Sequence, residues 1–472
     1  MNEHKVLVWF CQDLRLADNP ALHAAIKLGQ IIPIYILDQS DAKDFSLGQA
    51  GCWWLHESLQ SLHKNLQGHL IFAYGDSLKI LKQCVKKYKA TAVYWNRCYQ
   101  PWVMQRDTVI KKELLKLGID AQSFNGSLLW EPQDIVKSDG TGYKVFTAFY
   151  KNGCLKAEQP REIITKTRTI QFAKITKMQS LNDLKLLKYK DVGDRFSKYW
   201  KPSEQQAHFL LQNFLHKKLK NYKHDRDFPG KDVTSQLSPY LQFGLISPNQ
   251  IWWTIKNQGH EFASRENVQH FLKELVWREF SYNVLFYSPT VMRKNLQQKF
   301  DHFTWRSSKS DLQAWQQGLT GYPLVDAGMR ELFQTGYMHN RVRMITASFL
   351  IKNLRIDWRE GEAWFWDLLV DADLASNSFN WQWVAGCGYD AAPYFRIFNP
   401  TLQGKKFDKH GDYVKYWIPE LKNLPDKYLF EPWKASIDVL NKAKIILGDT
   451  YPNPIVDLTV SRKQALNTFK NL

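Results

Sequence analysis

The sequence lacks the features that mark several common protein classes. Its six cysteines form no Cys-x-x-Cys pair and no Cys/His cluster, so the usual zinc and iron–sulfur sites are excluded and no metal site is expected. No apolar run approaches the roughly 20 residues of a membrane-spanning helix. The first residues are polar and do not resemble a signal peptide. We therefore expect a cytoplasmic protein without a membrane partner.

A glycine-rich phosphate-binding loop is also missing. Residues 11–16, which follow the first apolar run, contain neither a Gly-x-Gly-x-x-Gly motif nor a P-loop lysine. These motifs form the usual backbone cradle for a pyrophosphate. The main nucleotide cofactor is therefore expected to bind elsewhere in the chain.

Positive charge and tryptophan, by contrast, are abundant. Lys and Arg number 64 against 46 Asp and Glu, which gives a formal net charge of +18. Such an excess favours a polyanionic partner, because neutralising phosphates releases counterions. The 19 tryptophans indicate large packed cores, and they can also stack on bases or carry electrons. Composition alone leaves two interpretations open: a DNA-binding protein, or a basic surface without such a partner.

Hydrophobic periodicity predicts an α/β domain at the start of the chain. The 472 residues exceed the roughly 250 to 300 residues at which single cores stop growing, so two large domains are expected. Predicted strands at 5–10, 31–37, 69–74, 91–95 and 119–124 alternate with predicted helices at 20–28, 53–66, 77–88 and 102–117. This alternation predicts a doubly wound parallel sheet, a Rossmann-like domain over residues 1–130.

The pattern changes twice after residue 130. Residues 131–201 are rich in turn-forming and polar side chains, which predicts an interdomain linker. Helical periodicity then dominates residues 202–472, with predicted helices at 204–219, 248–258, 266–287, 312–318, 324–335, 339–354 and 360–370. The second domain is therefore predicted to be mostly α-helical.

Eight sequence strings, in order and spacing, resemble the photolyase/cryptochrome family across essentially the whole chain. They are WFCQDLRLADN (residues 9–19), RDFP (226–229), TSQLS (234–238), WREF (277–280), TGYPLVDA (320–327), MHNRVRM (338–344), DADLASN (371–377) and YFRIFNP (394–400). Within the family the sequence is most similar to bacterial cyclobutane pyrimidine dimer photolyases of class I or the related class III. The resemblance implies an antenna-binding α/β domain followed by a helical domain that binds FAD and DNA.

The resemblance also implies that FAD, active in its reduced anionic form, is the reactive cofactor. The residues at the family's flavin contacts are Tyr222, Thr234, Ser235, Gln236, Leu237, Ser238, Arg278, Arg343, Asp371, Ala372, Asp373 and Asn377, with Asn377 beside flavin N5. Residues 234–238 also resemble a helix N-terminus, which presents hydroxyl and backbone N–H groups to an anion.

The implied partner is DNA that contains cyclobutane pyrimidine dimers. A flipped-out dimer needs aromatic stacking, polar groups for the bases and cations at the phosphates. Glu274, Trp277 and Arg278 have i, i+3, i+4 spacing, so they share one face of a predicted helix. The implied DNA contacts are Arg226, Glu274, Trp277, Arg278, Asn340, Arg341, Met344, Trp383 and Gln403, with Glu274, Asn340 and Asn377 as the catalytic residues.

The expected reaction is light-driven splitting of the dimer by electron transfer from photoexcited reduced FAD, a carbon–carbon lyase activity. Trp305, Trp358 and Trp381 lie at the family's electron relay, which would photoreduce an oxidised flavin. Asn340 and Met344 stand where (6-4) photolyases typically have histidines, which favours a cyclobutane dimer as substrate.

The chain departs from the class I pattern at three places. Gln236 replaces an arginine, and residues 378–380 replace a pair of glycines, a variation similar to class III members. Residues 102–104 lack the Asn-Glu pair that holds the folate antenna in some class I enzymes. Methenyltetrahydrofolate at another position is the first expectation for the antenna chromophore, and a deazaflavin is the second.

Other functions stay open at this point. A cryptochrome-like photoreceptor without repair activity is the main alternative, and a flavin oxidoreductase or a plain DNA-binding module is a further one. We expect a monomer without an obligate protein partner, associated with the nucleoid when it acts.

Overall fold

The computed structural model describes residues 4–38, 42–164, 169–176, 178–391 and 395–472, so Tyr394 of the last family string lies outside the described residues. The chain divides into two compact units. The first comprises Met1–Lys220, Ser235–Pro289 and Asp371–Ala375, and the second comprises Asn221–Thr234, Thr290–Val370 and Ser376–Leu472. The predicted domain limits at residues 130 and 201 stay a prediction.

The first unit contains a five-stranded parallel sheet with strand order β3-β2-β1-β4-β5. Its strands are β1 (His4–Phe10), β2 (Gly29–Leu37), β3 (Ile71–Tyr74), β4 (Ala92–Asn96) and β5 (Asp120–Phe124). The central strands β1 and β2 are buried along most of their length, as expected for a parallel sheet that is covered on both faces. The predicted doubly wound α/β architecture is confirmed.

Helices Pro20–Leu28, Gln49–Asn65, Ser77–Tyr88 and Pro101–Lys116 connect these strands. The first and third have the predicted bounds because capping side chains fix their starts: Asn19 accepts a hydrogen bond from Leu22 N–H, and Asp76 accepts one from Lys79 N–H. The second helix begins four residues before the prediction, at a glycine cap without a side-chain hydrogen bond.

The rest of the first unit consists of irregular segments and helices, and its α-helices are Phe146–Ala148, Lys190–Phe196, Glu204–Asn213, Ser238–Gln242, Pro248–Phe262 and Arg265–Tyr287. A capping box of Ser247 with Gln250 starts the helix Pro248–Phe262, and Ser264 caps the helix Arg265–Tyr287. The single helix predicted at 204–219 instead continues from Asn213 as a π-turn, Phe214–Lys218.

The second unit is helical, and the part of it that the structure describes contains no β-strand. Its α-helices are Tyr222–Asp225, Lys309–Gln317, Pro323–Thr335, Asn340–Ser348, Trp358–Leu368, Pro400–Phe407, Asp412–Trp417, Asp426–Leu429, Ile437–Lys442 and Leu458–Lys470, while Leu374–Ala385 begins in the first unit. The prediction of a mostly α-helical second half is confirmed. A π-turn, Phe349–Asn353, again ends a helix that was predicted as continuous.

Two of the family strings stabilise the fold. In WFCQDLRLADN, the buried Arg15 guanidinium donates hydrogen bonds to the carbonyl groups of Gly126 (2.7 Å), Asp18 (2.9 Å) and Gly244 (3.0 Å). In TGYPLVDA, the buried Asp326 carboxylate accepts hydrogen bonds from both Thr320 N–H (2.7 Å) and its hydroxyl (2.6 Å). Arg15 thus connects segments that are distant in sequence, and so does Asp326, which also accepts a hydrogen bond from the Tyr451 hydroxyl (2.7 Å).

Candidate flavin and DNA site

Two buried carboxylates follow one another in the segment Asp371–Ala375 of the first unit. The Ser238 hydroxyl donates to Asp371 Oδ2 (2.6 Å), and the Tyr282 hydroxyl donates to Asp373 Oδ2 (2.5 Å). Ala372 between them is also buried. Three stretches of the first unit that are far apart in sequence thus meet around this pair.

Arg278 supplies positive charge to the same region. It lies on the helix Arg265–Tyr287 one turn before Tyr282, and its guanidinium lies 4.7 Å from the Tyr282 ring centroid. Burial acts to lower the pKa of Arg278, but the neighbouring Tyr282, Glu279 and Asp373 outweigh it and raise that pKa. Arg278 therefore stays a cation where two aspartates need compensation.

The TSQLS segment approaches this region from the short helix Ser238–Gln242. That helix starts without a side-chain cap at Leu237, and Ser235 Oγ accepts only a long hydrogen bond from Leu237 N–H (3.4 Å). Gln236 has a φ of 56°, a left-handed conformation that is uncommon for residues other than glycine. Thr234, the remaining residue of the predicted set here, belongs to the second unit.

The residues of the first unit fit a flavin nucleotide. A flavin offers ribityl hydroxyls and a ring edge with N–H and carbonyl groups, which need both acceptors and donors. Ser238 provides an exposed hydroxyl, Arg278 a half-buried cation, and Asp371 and Asp373 two buried carboxylates within one region. No cluster of His, Cys, Asp and Glu that could hold a metal ion occurs among the described residues.

Asn377 of the second unit is held by the helix Trp358–Leu368. Its side-chain Nδ2 donates to the carbonyl oxygen of Glu362 (3.2 Å), and the Ser378 hydroxyl donates to Glu362 Oε1 (2.5 Å). Burial raises the pKa of Glu362 to about 7. The amide of Asn377 is thus oriented by a backbone contact beside a carboxyl that titrates near neutrality.

The other predicted flavin residues of the second unit are anchored locally. The buried Tyr222 begins the helix Tyr222–Asp225, and the guanidinium of Arg226 lies 5.3 Å from its ring centroid. Arg343 Nε donates to the carbonyl oxygen of Met338 (2.7 Å).

The predicted DNA contacts of the second unit lie near the start of the helix Asn340–Ser348 and in two further segments. Asn340 is exposed and Met344 is half-buried. Arg341 forms an ion pair with Asp227 (2.5 Å). In the other segments, Trp383 Nε1 donates to the carbonyl oxygen of Asp390 (2.9 Å), and Gln403 is half-buried on the helix Pro400–Phe407.

In the first unit, the helix Arg265–Tyr287 carries Glu274, Trp277 and Arg278, as their spacing predicts. Glu274 and Trp277 are both half-buried. Phe146 stacks on Trp277 with a ring-centroid distance of 3.5 Å and an interplanar angle of 6°. One face of the indole is therefore covered by a residue that sequence reasoning did not identify.

The three predicted relay tryptophans occupy different environments in the second unit. Trp305 is half-buried and lies 4.4 Å from the Phe303 ring. The buried Trp358 donates its indole N–H to Asn295 Oδ1 (3.0 Å). Trp381 approaches the helix Trp358–Leu368 so closely that a Cβ at Gly361 would lie 2.1 Å from its Cη2. Trp381 therefore packs against Gly361, which lies one helical turn after Trp358.

Several residues with a clear role in these sites had no local sequence signal. Phe146 lies 131 positions before Trp277, and Tyr282 reads as an ordinary aromatic residue of a helix. Glu362 and Gly361 could be found only from the close approach of two helices. The WREF string pointed to Arg278 but not to the tyrosine one turn later.

Two family models match this chain. The model described as DNA photolyase matches residues 6–166, and the model described as FAD binding domain of DNA photolyase matches residues 271–471. These matches cover residues from both compact units.

Individual relatives match over nearly the full length. The chain is 47% identical to a deoxyribodipyrimidine photo-lyase of Agrobacterium fabrum, covering 98% of this chain and 97% of the relative. It is 35% identical to cryptochrome-2 of Arabidopsis thaliana, covering 98% and 78%. Among solved structures, a class III photolyase from Agrobacterium tumefaciens has a TM-score of 0.96 and 45% identity, covering 100% and 98%. The chain belongs to the photolyase/cryptochrome family.

Proposed function

We propose that this protein is a deoxyribodipyrimidine photo-lyase that uses FAD and blue light to split cyclobutane pyrimidine dimers in DNA. One observation carries the proposal. On the helix Arg265–Tyr287, Tyr282 donates a hydrogen bond to Asp373 and Arg278 adds positive charge near that carboxylate, while Glu274 and Trp277 lie within one turn before Arg278. A single rigid element thus carries residues suited to the cofactor and residues suited to the damaged bases.

When bound in its reduced form, FAD would supply the light-driven electron transfer that splitting a cyclobutane dimer needs. The side chains position the reactants and exclude water, because this reaction requires no general acid. Trp277, backed by Phe146, offers a flat surface for a flipped-out base, and Glu274 and Asn340 accept or donate hydrogen bonds to its edge. Arg226, Arg341 and Gln403 contact the DNA backbone.

The remaining site residues keep the roles that the resemblance implies. Asn377 orients the flavin ring edge through its amide, while Tyr222, Thr234, Arg343 and the TSQLS segment hold the rest of the cofactor. Met344 and Trp383 line the space for the dimer. Trp305, Trp358 and Trp381 deliver electrons to an oxidised flavin. Action as a monomer in the cytoplasm stays a prediction.

The relatives include both repair enzymes and photoreceptors. The higher identity to a named photo-lyase, 47% against 35% for cryptochrome-2, supports repair, and so does the pairing of Glu274 with Trp277 on one helix face. The similarity to the class III photolyase from Agrobacterium tumefaciens supports placing the chain in that class.

A cavity in the first unit is the proposed site of methenyltetrahydrofolate, with a deazaflavin as the second candidate. It has a volume of about 580 Å³, and its lining includes Met104, Lys111, Lys112, Glu131 and Phe286. That volume falls in the range of small-molecule sites. The two lysines suit the carboxylates of a folate tail, and Phe286 suits a flat ring. Changing Lys111 and Lys112 to Glu should lower folate retention in the purified protein without lowering its FAD content.

Damage-specific binding tests the proposed function directly. The FAD-loaded protein, in darkness, should bind a duplex with one thymine dimer more tightly than the same duplex without damage, as measured by fluorescence polarisation at fixed ionic strength. The proposal would be contradicted by equal affinity for the two duplexes.

A further inference from the structure

A hydrogen-bonded carboxyl group supports the start of the helix Asn340–Ser348. Glu331, on the helix Pro323–Thr335, accepts a hydrogen bond from the Tyr413 hydroxyl (2.6 Å) and another from the backbone N–H of His339 (3.2 Å). Both bonds reach the same oxygen, Oε2. Because His339 is the N-cap residue of the helix Asn340–Ser348, Glu331 is bonded to the point at which that helix begins.

His339 keeps one protonation state while it caps the helix. Its Nδ1 accepts a hydrogen bond from the backbone N–H of Arg341 (3.2 Å), so the neutral ring carries its proton on Nε2. Burial lowers the pKa of His339 to about 4. Its charge therefore does not change near neutral pH.

Glu331, in contrast, changes its charge near neutral pH. Burial raises the pKa of Glu331 to about 7, although the hydrogen bonds from Tyr413 and His339 and the charge of Arg343 favour the anion. The titratable and charged groups that face this carboxyl or its Tyr413 partner are Tyr337, His339, Arg343, Asp408 and Tyr413. Of these, Asp408 also titrates in the relevant range, because burial raises its pKa to about 6.

The helix start held by Glu331 carries two arginine side chains, Arg341 and Arg343, and Arg343 is the one whose charge acts on the Glu331 carboxyl. Arg341 lies two residues after His339, pairs with Asp227 (2.5 Å) and lies over the Phe407 ring at 4.6 Å from its centroid. Asn340 between them is exposed. A negative charge on Glu331 would weaken the positive potential at this surface, whereas the neutral acid would not.

We propose that Glu331 is a positioning residue whose protonation is coupled to DNA binding, so that the protein takes up a proton at Glu331 when DNA phosphates approach Asn340 and Arg341. The inference rests on the proposed function, since its ligand is dimer-containing DNA. Phosphates favour the neutral form of a nearby carboxyl because like charges repel. By linkage, the form that binds DNA more tightly is the protonated one, and affinity falls as pH rises through neutrality.

Calorimetry in buffers with different ionisation enthalpies measures the number of protons that the protein takes up for each DNA duplex bound. A dimer-containing duplex is titrated into the FAD-loaded protein in darkness at pH 7, and Kd is measured from pH 6 to 8.5. We expect net proton uptake of less than one per complex. The rise in Kd across this range reaches up to about tenfold if DNA shifts the pKa of Glu331 by about one unit.

Three variants identify the group that takes up the proton. Glu331→Gln keeps an oxygen that can accept both hydrogen bonds but cannot titrate, so uptake at pH 7 and the fall in affinity should both be lost. Tyr413→Phe removes a donor to the anion and should move the midpoint of the pH profile upward. Asp408→Asn, the matched control, should leave the uptake in place.

The outcomes separate this inference from the proposed function. If Glu331→Gln takes up as many protons as the wild type, or if Asp408→Asn abolishes the uptake, the inference is wrong while dimer-specific binding still supports repair. If the wild type does not distinguish damaged from undamaged duplex at any pH, the proposed function fails, and the inference fails with it.

Discussion

Glu279 should make the first unit less stable as pH rises from about 5 to 7. Its carboxylate is fully enclosed and accepts hydrogen bonds from the backbone N–H groups of Leu129 (2.9 Å) and Trp130 (3.4 Å). Burial raises the pKa of Glu279 from 4.5 to about 7, despite the adjacent positive charge of Arg278. The folded protein therefore retains a proton that the unfolded chain releases in this interval.

The size of the effect follows from that pKa difference. A difference of about 2.5 units, at about 1.36 kcal/mol per unit, corresponds to a loss of about 3 kcal/mol in the free energy of unfolding. The contribution of Glu279 is fully favourable below pH 4.5 and fully lost above pH 7. His339 acts in the opposite sense, because its pKa is lowered to about 4 and the folded state gains stability as pH rises to 6.5.

The assay compares wild type with Glu279→Gln. The contribution of His339 to the pH dependence of the free energy of unfolding is the same in both proteins, so it cancels in their difference. Denaturant unfolding is followed by tryptophan fluorescence between pH 4 and 8.5. The variant should be less destabilised than wild type over this range, and the difference should grow by up to about 3 kcal/mol from pH 4.5 to 7. Glu362→Gln, which removes a buried carboxyl of the second unit with a similar pKa, should reduce the pH dependence by a similar amount for the same reason. Parallel profiles for wild type and Glu279→Gln would refute the reasoning.

Three further substitutions test the proposed sites. Trp277→Ala should weaken binding to dimer-containing DNA by about 5- to 150-fold in a polarisation assay, since one lost base stack costs about 1 to 3 kcal/mol; unchanged affinity would exclude the stacking role. Gly361→Ala places a Cβ 2.1 Å from Trp381, so it should slow photoreduction of oxidised flavin, measured by absorbance, more than it slows repair by reduced enzyme. Ser238→Ala removes the 2.6 Å hydrogen bond to Asp371 and should lower FAD retention during gel filtration; full retention would contradict its role.

The sheet could be predicted because its strands are short, nearly continuous apolar runs separated by turn signals. Two strands illustrate this. The observed β1 begins one residue before the strand predicted at 5–10, and the observed β4 is shifted by one residue from the strand predicted at 91–95. Helices Pro20–Leu28 and Ser77–Tyr88 were predictable for a similar reason: a capping Asn or Asp marks each start.

Other elements could not be predicted from local patterns. The helix Leu374–Ala385 has apolar and polar residues all around its axis, so it lacks the periodicity by which an amphipathic helix is identified. The π-turns Phe214–Lys218 and Phe349–Asn353 keep helical periodicity in the sequence and change only the hydrogen-bond register.

The candidate site was predictable where a family string contained the residue and not where a distant contact completed it. Trp277 lies within the WREF string, but its stacking partner Phe146 comes from a segment that was predicted as linker. Asp371, Asp373 and Ser238 were identified but Tyr282 was not, and the pairings of Ser238 with Asp371 and of Tyr282 with Asp373 span 133 and 91 residues. Such pairs depend on tertiary packing, which one sequence does not reveal.

The most direct test of the central claim is the recovery of thymines in ultraviolet-irradiated oligo(dT) mixed with the reduced, FAD-loaded protein. Absorbance and product analysis follow the reaction under blue light and in darkness. The account predicts that thymines return only under light and that catalytic amounts of protein suffice. An absence of recovery under light, while the bound flavin stays reduced, would contradict it and favour a photoreceptor.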